Sequence, residues 1–271
     1  MTDEQEPSTL LRAPARTPGY APTLLHGDCL DLMATIESGS VDMILCDLPY
    51  GTTACKWDTM IPFEPLWAQY KRVIKPNGAV VLFGSQPFTS ALVMSNPAWF
   101  KLSLVWEKDK ATGHLNAKKS PMRAHEDILV FCGASPTYNP QMVDTGVPSN
   151  KSAKRTRTSS AETYGKFNEY QRGGGTLRYP RSVLKMNTVN SAHGVVHPTQ
   201  KPVALMEYLI RTYTNECETV LDNCMGSGTT GVACLNTWRN FIGIEKDPKY
   251  FEIARNRIEG HNAQYTPAKV C

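Results

Sequence analysis

The chain has 271 residues, 41% of them hydrophobic and 20% charged, with a formal net charge of +4. This composition excludes a fibrous or low-complexity chain and is ample for one α/β domain with a sizeable insertion. No apolar run approaches the roughly 20 residues of a membrane helix, and Met1–Tyr20 is polar and proline-rich, without the apolar core of a signal segment.

The predicted elements alternate between strand and helix along the chain. Residues 1–20 and 261–271 are expected to be frayed tails. A short strand begins at Thr23–Leu25 and ends at Gly27-Asp28, and the compact apolar run Val41–Cys46 ends in Asp47. Pro62–Lys75 has helical spacing, with Phe63, Leu66, Trp67, Tyr70, Val73 and Ile74 on one face. Pro76-Asn77-Gly78 predicts a turn, Ala79–Phe83 a buried strand, Ser85–Ser95 a helix, and Lys101–Trp106 and Ile128–Phe131 further strands. From Gly133 to about Val196 the periodicity breaks, and Gly, Ser, Thr, Asn and basic residues dominate. Order then returns with an amphipathic helix at Val203–Tyr213, a strand at Thr219–Leu221 and a helix at Thr229–Trp238. A strand at Phe241–Ile244 and a helix at Pro248–Ile258 close the series. The expectation is a doubly wound, mostly parallel sheet. Its two halves are 21–133 and 197–260, with an insertion at 134–196.

Charge is localised. Lys151–Lys185 holds nine Lys/Arg against two Glu, a net +7 that leaves the other 236 residues at −3. Such a stretch attracts a phosphate backbone, although a solvated loop explains it as well. The eight cysteines form no CxxC pair and no cluster with histidine at metal-ligand spacing. The expectation is a reduced, cytoplasmic protein without a metal site.

The segment Leu221-Asp222-Asn223-Cys224-Met225-Gly226-Ser227-Gly228-Thr229-Thr230-Gly231 follows a strand and opens a helix. Gly226, Gly228 and Gly231 spell GxGxxG, and Glu245 stands at the end of the next strand, where an acid can hold a ribose diol. The unit points to an adenosine-containing cofactor. A dinucleotide is disfavoured because only one βα unit remains after Glu245 and a dinucleotide needs two mononucleotide halves. Asp222 also precedes the glycines, where a carboxylate suits a cationic ammonium and repels a pyrophosphate.

Asp47-Leu48-Pro49-Tyr50 ends a buried strand, at the edge where open α/β sheets bind ligands. The tetrapeptide resembles the (Asp/Asn/Ser)-Pro-Pro-(Tyr/Phe) signature of amino-methyltransferases, with Leu48 where the family often has proline. Gly51-Thr52-Thr53 and Lys56-Trp57-Asp58 strengthen the likeness to phage and bacterial DNA adenine methylases. His197-Pro198-Thr199-Gln200-Lys201-Pro202 is similar to the family motif that lies just before the cofactor loop, and His26-Gly27-Asp28-Cys29 to the strand end that meets the cofactor's adenine. The order of tetrapeptide, basic insertion and glycine loop resembles the beta class of these enzymes, in which the insertion recognises the target.

The resemblance implies a Rossmann-like methyltransferase fold with a seven-stranded sheet. It implies transfer of a methyl group from S-adenosylmethionine to the N6 amine of a flipped-out adenine in double-stranded DNA. The protein would be bacterial or phage-encoded, within restriction-modification or other DNA methylation, and often a homodimer. Asp47, Leu48, Pro49 and Tyr50 are the implied catalytic residues: the Asp47 carboxylate and Leu48 carbonyl accept the amine hydrogens, Pro49 fixes the turn and Tyr50 stacks on the base. The implied cofactor residues are Asp28, Cys29, Asp47, Thr199, Lys201, Asp222, Asn223, Cys224, Gly226, Ser227, Gly228, Thr229, Thr230 and Glu245, with Thr199 and Lys201 near the methionine carboxylate. DNA contacts are expected from Lys154, Arg155, Arg157, Arg172, Arg178 and Arg181 of the insertion, to phosphates in general and, from Arg178, Arg181 or Asn187, to base edges. Lys118, Lys119 and Arg123 of a second basic loop, Lys108–Arg123, are expected to join them. Three other readings stay open: the N4 amine of cytosine as target, a nucleotide-dependent oxidoreductase, and a nucleic-acid-binding module with a decayed site.

Overall fold

The structure is a computed structural model that describes residues 22–51, 59–148, 175–189 and 200–263. The described residues form two compact units, with the smaller one spanning Pro140–Arg181 and the larger one the remainder.

In the larger unit, β1 (Thr23–His26), β2 (Val41–Cys46) and β3 (Ile74–Gly84) are separated by α1 (Cys29–Met33) and α2 (Phe63–Val73). Then come α3 (Phe88–Ser95), β4 (Phe100–Thr112), a 3-10 turn at His114–Asn116 and β5 (Arg123–Phe131). The strands of the smaller unit, β6 (Val143–Asp144) and β7 (Leu177–Arg178), pair antiparallel with each other. The larger unit resumes with β8 (Val183–Lys185), α4 (Val203–Tyr213), β9 (Thr219–Asp222), α5 (Thr229–Thr237), β10 (Asn240–Glu245) and α6 (Pro248–Ala263).

The sheet order is β1-β10-β9-β2-β3-β5-β4-β8. The first five strands run parallel, β5 is antiparallel to both β3 and β4, and β8 is parallel to β4. The mostly parallel, doubly wound expectation is met, with eight strands in place of seven. The added strand is β8, which falls within the expected insertion 134–196 yet pairs Val105 with Val183 and Trp106 with Leu184.

Alternation along the strands builds the two cores. Met43, Leu45, Val81 and Phe83 face α4, α5 and α6, contributing with Leu205, Leu209, Val232 and Ile258 to one cluster. Ile44, Cys46, Val80 and Leu82 face α1, α2 and α3, meeting Met33, Leu66, Trp67, Tyr70 and Leu92 in the other. Strands buried on both faces read as continuous apolar runs, which is why Val41–Cys46 shows no polar alternation.

Several boundaries differ from the sequence expectation. Pro76-Asn77-Gly78 does not end a strand. It bulges within β3, because Val41 pairs with Ile74 while Met43 pairs with Ala79. The expected basic loop 108–123 is shortened to 113–122, since β4 continues outward through Lys108–Thr112 until Thr112 lies opposite Arg123. Cys217 is disulfide-bonded, which corrects the expectation of a wholly reduced chain. A bridge depends on the approach of two backbones in space, which cysteine spacing along the chain does not report. Cys29, Cys46 and Cys132 are buried thiols that pack as small apolar residues. Among the described residues no helix is long and apolar enough to cross a membrane, and no group of three His, Cys, Asp or Glu is placed to hold a metal.

Helix α5 lies close to α6 and β10 because Gly231 has no side chain. A Cβ there would sit 2.5 Å from Ile258 Cδ1 and 2.8 Å from Phe241 Cε1. Gly231→Ala gains about 1 kcal/mol of helix propensity but overpacks the contact by about 1–3 kcal/mol. The expected result is a net loss near 1 kcal/mol in urea unfolding, with an unchanged denaturant slope.

Candidate active site

Parallel pairing brings the carboxyl ends of β1, β10, β9 and β2 to one edge of the sheet. Each strand end carries an acid: Asp28 two residues past β1, Glu245 ending β10, Asp222 ending β9 and Asp47 just past β2. Neighbouring strands lie about 4.8 Å apart, so these carboxylates must be partnered or neutralised.

Asp47 is held on both oxygens. Tyr50 Oη donates to Oδ1 at 2.8 Å, and Lys201 Nζ donates to Oδ2 at 2.5 Å. Lys201 is only 7% exposed. Its Nζ also lies 3.2 Å from Glu126 Oε2 on β5 and 5.0 Å from the centre of the Phe83 ring. Lys108 of β4 pairs with Glu126 Oε1 and lies over the Trp106 ring. Burial works against the Lys201 ammonium, but Asp47 and Glu126 outweigh it and hold its pKa above the ordinary value. Burial likewise opposes the Glu126 carboxylate, yet Lys201 and Lys108 keep that carboxyl below its usual range. The result is a buried four-member ion cluster behind the tetrapeptide.

The other tetrapeptide residues follow from packing. Leu48 is 4% exposed and joins the core facing α1, α2 and α3, so an apolar side chain suits this position where the family often has proline. Tyr50 stacks on Phe88 of α3, with ring centres 4.8 Å apart. Burial, reinforced by Asp47, pushes the Tyr50 phenol well above its ordinary pKa, so it remains a hydrogen-bond donor.

The glycine loop is built by its neighbours. Gly226 and Gly228 adopt φ of 52° and 77°, in the left-handed region that favours glycine. A Cβ on Gly226 would meet nothing among the described residues within 4 Å, so open space lies against the loop there. A Cβ on Gly228 would meet Ala254 and Ile258 of α6. Glu245 Oε2 accepts the Gly226 N–H at 2.9 Å and Oε1 the Asp247 N–H at 2.8 Å. Burial raises the Glu245 carboxyl above its ordinary pKa despite both bonds. Asp222 is buried, accepting from Thr230 Oγ1 at 2.5 Å and from the Cys224 N–H at 3.1 Å. Burial outweighs both bonds and pushes the Asp222 carboxyl up to about 7.

Several residues expected at the cofactor are engaged structurally. Asp28 caps α1 by accepting from the Leu30 N–H at 2.9 Å and pairs with Lys246 at 3.0 Å. The Lys246 hydrogen bond, opposed by partial burial, holds Asp28 below its usual pKa. Asn223 is buried and accepts from Tyr70 Oη at 2.6 Å. Cys29 and Cys224 lie in or against the core facing α1 and α2. Ser227 and Thr229 are both bonded by Arg257 Nη1 of α6, at 3.3 Å and 3.0 Å through their hydroxyls, and the Ser227 carbonyl accepts from the same atom at 3.0 Å. Thr199 lies outside the described residues.

The expected DNA contacts divide similarly. Lys154, Arg155, Arg157 and Arg172 lie outside the described residues. Arg178 folds back onto its own ribbon, donating to the carbonyls of Gly175, Leu177 and Val147 at 2.8–3.0 Å. Arg181, Lys118, Lys119 and Arg123 are exposed. Arg123 also lines a cleft with Gly84, Ser85, Gln86, His125, Glu126 and Asp127 at the end of β3. Lys108 does not belong with these cations, because Glu126 neutralises it in the interior.

Sequence reasoning missed Glu126, Tyr70 and Arg257. Each works through a partner more than 25 positions away in the chain. The one available signal was Glu126, an acid flanking the buried run Ile128–Phe131.

The Asp222 shift has a defined sign. Its pKa rises from 3.8 unfolded to about 7 folded, so between these values the folded protein holds a proton that the unfolded chain has lost. Stability therefore falls as pH rises through this window and levels off above it. Asp222→Asn removes the penalty, which is on the order of a few kcal/mol. Without added cofactor, the variant's advantage in melting temperature is expected to widen from pH 4 to pH 7 and then stay constant. An advantage independent of pH would contradict the assignment.

With the geometry in hand, comparisons with known proteins place the chain. The family model described as DNA methylase, covering N6 and N4 methyltransferases, matches residues 41–256. The DNA adenine methyltransferase YhdJ of Escherichia coli K12 is 29% identical over 263 residues, covering 91% of this chain and 85% of the relative. The type II methyltransferase M2.DpnII of Streptococcus pneumoniae is 27% identical over 264 residues, covering 88% of this chain and 90% of the relative. Among solved structures, the M1.HpyAVI–SAM complex superposes with a TM-score of 0.60 at 27% identity, over 88% of this chain and 99% of that one. The cytosine-N4-specific PvuII DNA methyltransferase shares the fold, with a TM-score of 0.62 at 16% identity over 92% and 93% of the two chains. The family match runs from β2, which leads into Asp47, to α6, which braces the glycine loop, and the chain belongs to the DNA methylase family.

Proposed function

We propose that this protein transfers a methyl group from S-adenosylmethionine to the N6 amine of an adenine flipped out of double-stranded DNA. The observation that carries the reading is the adjacency of β2 and β9, which puts Asp47-Leu48-Pro49-Tyr50 one strand from the glycine loop. The relative named as a DNA adenine methyltransferase, YhdJ, supports adenine over cytosine.

The residues present fit the cofactor. Open space against Gly226 admits close backbone approach, and Glu245, already oriented by two N–H groups, keeps lone pairs for ribose hydroxyls. Asp222, Asp47 and Glu245 make the edge receptive to a cation. When bound, S-adenosylmethionine supplies an electrophilic methyl group.

The chain's own residues then make the base amine nucleophilic. An exocyclic amine is weak because its lone pair is delocalised into the ring. Hydrogen bonds from its two N–H groups to the Asp47 carboxylate and the Leu48 carbonyl favour a pyramidal nitrogen with a localised lone pair. Positioning of this kind supplies up to about 7–11 kcal/mol of rate enhancement. Flipping the base costs a few kcal/mol, on the order of the unstacking and unpairing energy. Tyr50, packed on Phe88, offers an aromatic face at the turn. Lys118, Lys119, Arg123, Arg181 and the basic stretch 151–185 supply cations for phosphates. The resemblance also supports a homodimer acting in the cytoplasm of a bacterial cell, in restriction-modification or a related methylation system.

The test is incubation of the purified protein with labelled S-adenosylmethionine and unmethylated plasmid DNA, followed by mass spectrometry of the nucleosides. N6-methyldeoxyadenosine is the expected product. N4-methyldeoxycytidine would transfer the reading to cytosine, and absence of label would overturn it. Asp47→Ala is expected to lose at least about 100-fold in the rate of transfer at saturating cofactor, with cofactor affinity measured separately.

A further inference from the structure

Asp47 must accept a hydrogen bond from the arriving amine, yet each of its oxygens already holds one donor and a buried ammonium neutralises its charge. Tyr50 holds Oδ1, and the buried Lys201 ammonium holds Oδ2 at 2.5 Å. The charge of the catalytic acceptor is therefore masked by the lysine. Glu126 Oε2, 3.2 Å from the same ammonium, is a buried oxygen without a hydrogen-bond partner among the described residues. A buried carboxylate oxygen left in that state is expensive, and an ammonium has three donors with which to satisfy it.

We propose that Lys201 is a displaceable mask on Asp47 and that Glu126 is the positioning residue that receives its hydrogen bond when the base amine arrives. The inference rests on the reading of Asp47 as the amine acceptor. The exchange balances without a covalent step. One amine N–H replaces one ammonium N–H at Asp47 Oδ2, and the ammonium N–H moves to Glu126 Oε2. No charge leaves the cluster, because Lys108 keeps Glu126 Oε1 and Lys201 stays between the two carboxylates. The negative charge of Asp47 then faces the amine nitrogen, which becomes positive as it is methylated. The Phe83 ring beneath Lys201 and the Trp106 ring beneath Lys108 hold both cations in place from the apolar side.

The test is a double-mutant cycle on the full chain: wild type, Glu126→Gln, Lys201→Met and the pair. Two quantities are measured, the single-turnover rate of labelled methyl transfer to unmethylated plasmid DNA and the dissociation constant of S-adenosylmethionine. Glu126→Gln is expected to slow transfer about tenfold or more, within the usual range of coupled neighbours, with cofactor affinity changed less than about twofold. In the Lys201→Met background, where no mask remains, Glu126→Gln should change the rate less than about twofold. Lys201→Arg provides a check that retains the charge. Its fork bridges both carboxylates at once and is not shed, so transfer should again slow about tenfold. The proposal is overturned if Glu126→Gln matches wild type, if the Glu126→Gln and Lys201→Met losses multiply, or if Lys201→Arg transfers at the wild-type rate. Failure of the wild type itself to label DNA would instead overturn the proposed function.

Discussion

The crowding of carboxylates at one edge of a parallel sheet is the constraint on which the rest of the site depends. Four adjacent strand ends carry Asp28, Glu245, Asp222 and Asp47, and the Asp222 end is closed to water. The fold answers each acid differently. Asp28 receives a surface lysine and a helix N–H, Glu245 two backbone N–H groups, and Asp222 a hydroxyl and an N–H that do not outweigh burial. Asp47 alone receives a buried cation. Asp28, Glu245 and Asp222 are thereby given different affinities for protons, as the proposed function asks of an edge that binds a cation.

Much of this was legible before any coordinates, for identifiable reasons. Val41–Cys46 and Ala79–Phe83 are apolar on both faces, and only a parallel strand between two helical layers needs that. GxGxxG between a strand and a helix fixes a turn geometry, and the structure divides its glycines by role. Gly226 and Gly228 take left-handed φ, whereas Gly231 yields space to Ile258 and Phe241. The tetrapeptide was legible through its resemblance to the amino-methyltransferase signature together with the other motifs, since Asp-x-Pro-Tyr after a buried strand is by itself also a strand-ending turn.

The remainder was hidden because it depends on partners distant in sequence. Lys108–Thr112 reads as a basic loop, yet it continues β4, because β5 supplies a hydrogen-bonding neighbour and strand preference follows context. β8 is three residues long, with one of them buried, and gives no pattern to detect. Arg257 looks like the solvated face of a polar helix, but it reaches across to bind the carbonyl of Ser227 and the hydroxyls of Ser227 and Thr229. Lys201 was expected near the cofactor from its motif. Its burial between Asp47 and Glu126 follows from the convergence of β2, β5 and the segment before α4, which no local window contains.

The same partners bear on how a polyanion approaches such a site. Asp28, Glu245, Asp222, Asp47 and Glu126 amount to five formal negative charges near one edge, enough to repel a phosphate backbone within a Debye length of about 8 Å. Lys246, Lys201 and Lys108 cancel three of them, and Asp222 is close to half protonated at neutral pH. What remains is between one and two negative charges, against a +7 stretch elsewhere in the sequence. Masking Asp47 with an internal lysine therefore serves two ends: the acid edge stays nearly neutral toward DNA, and the charge is bared only to a group that can donate a hydrogen bond in the lysine's place.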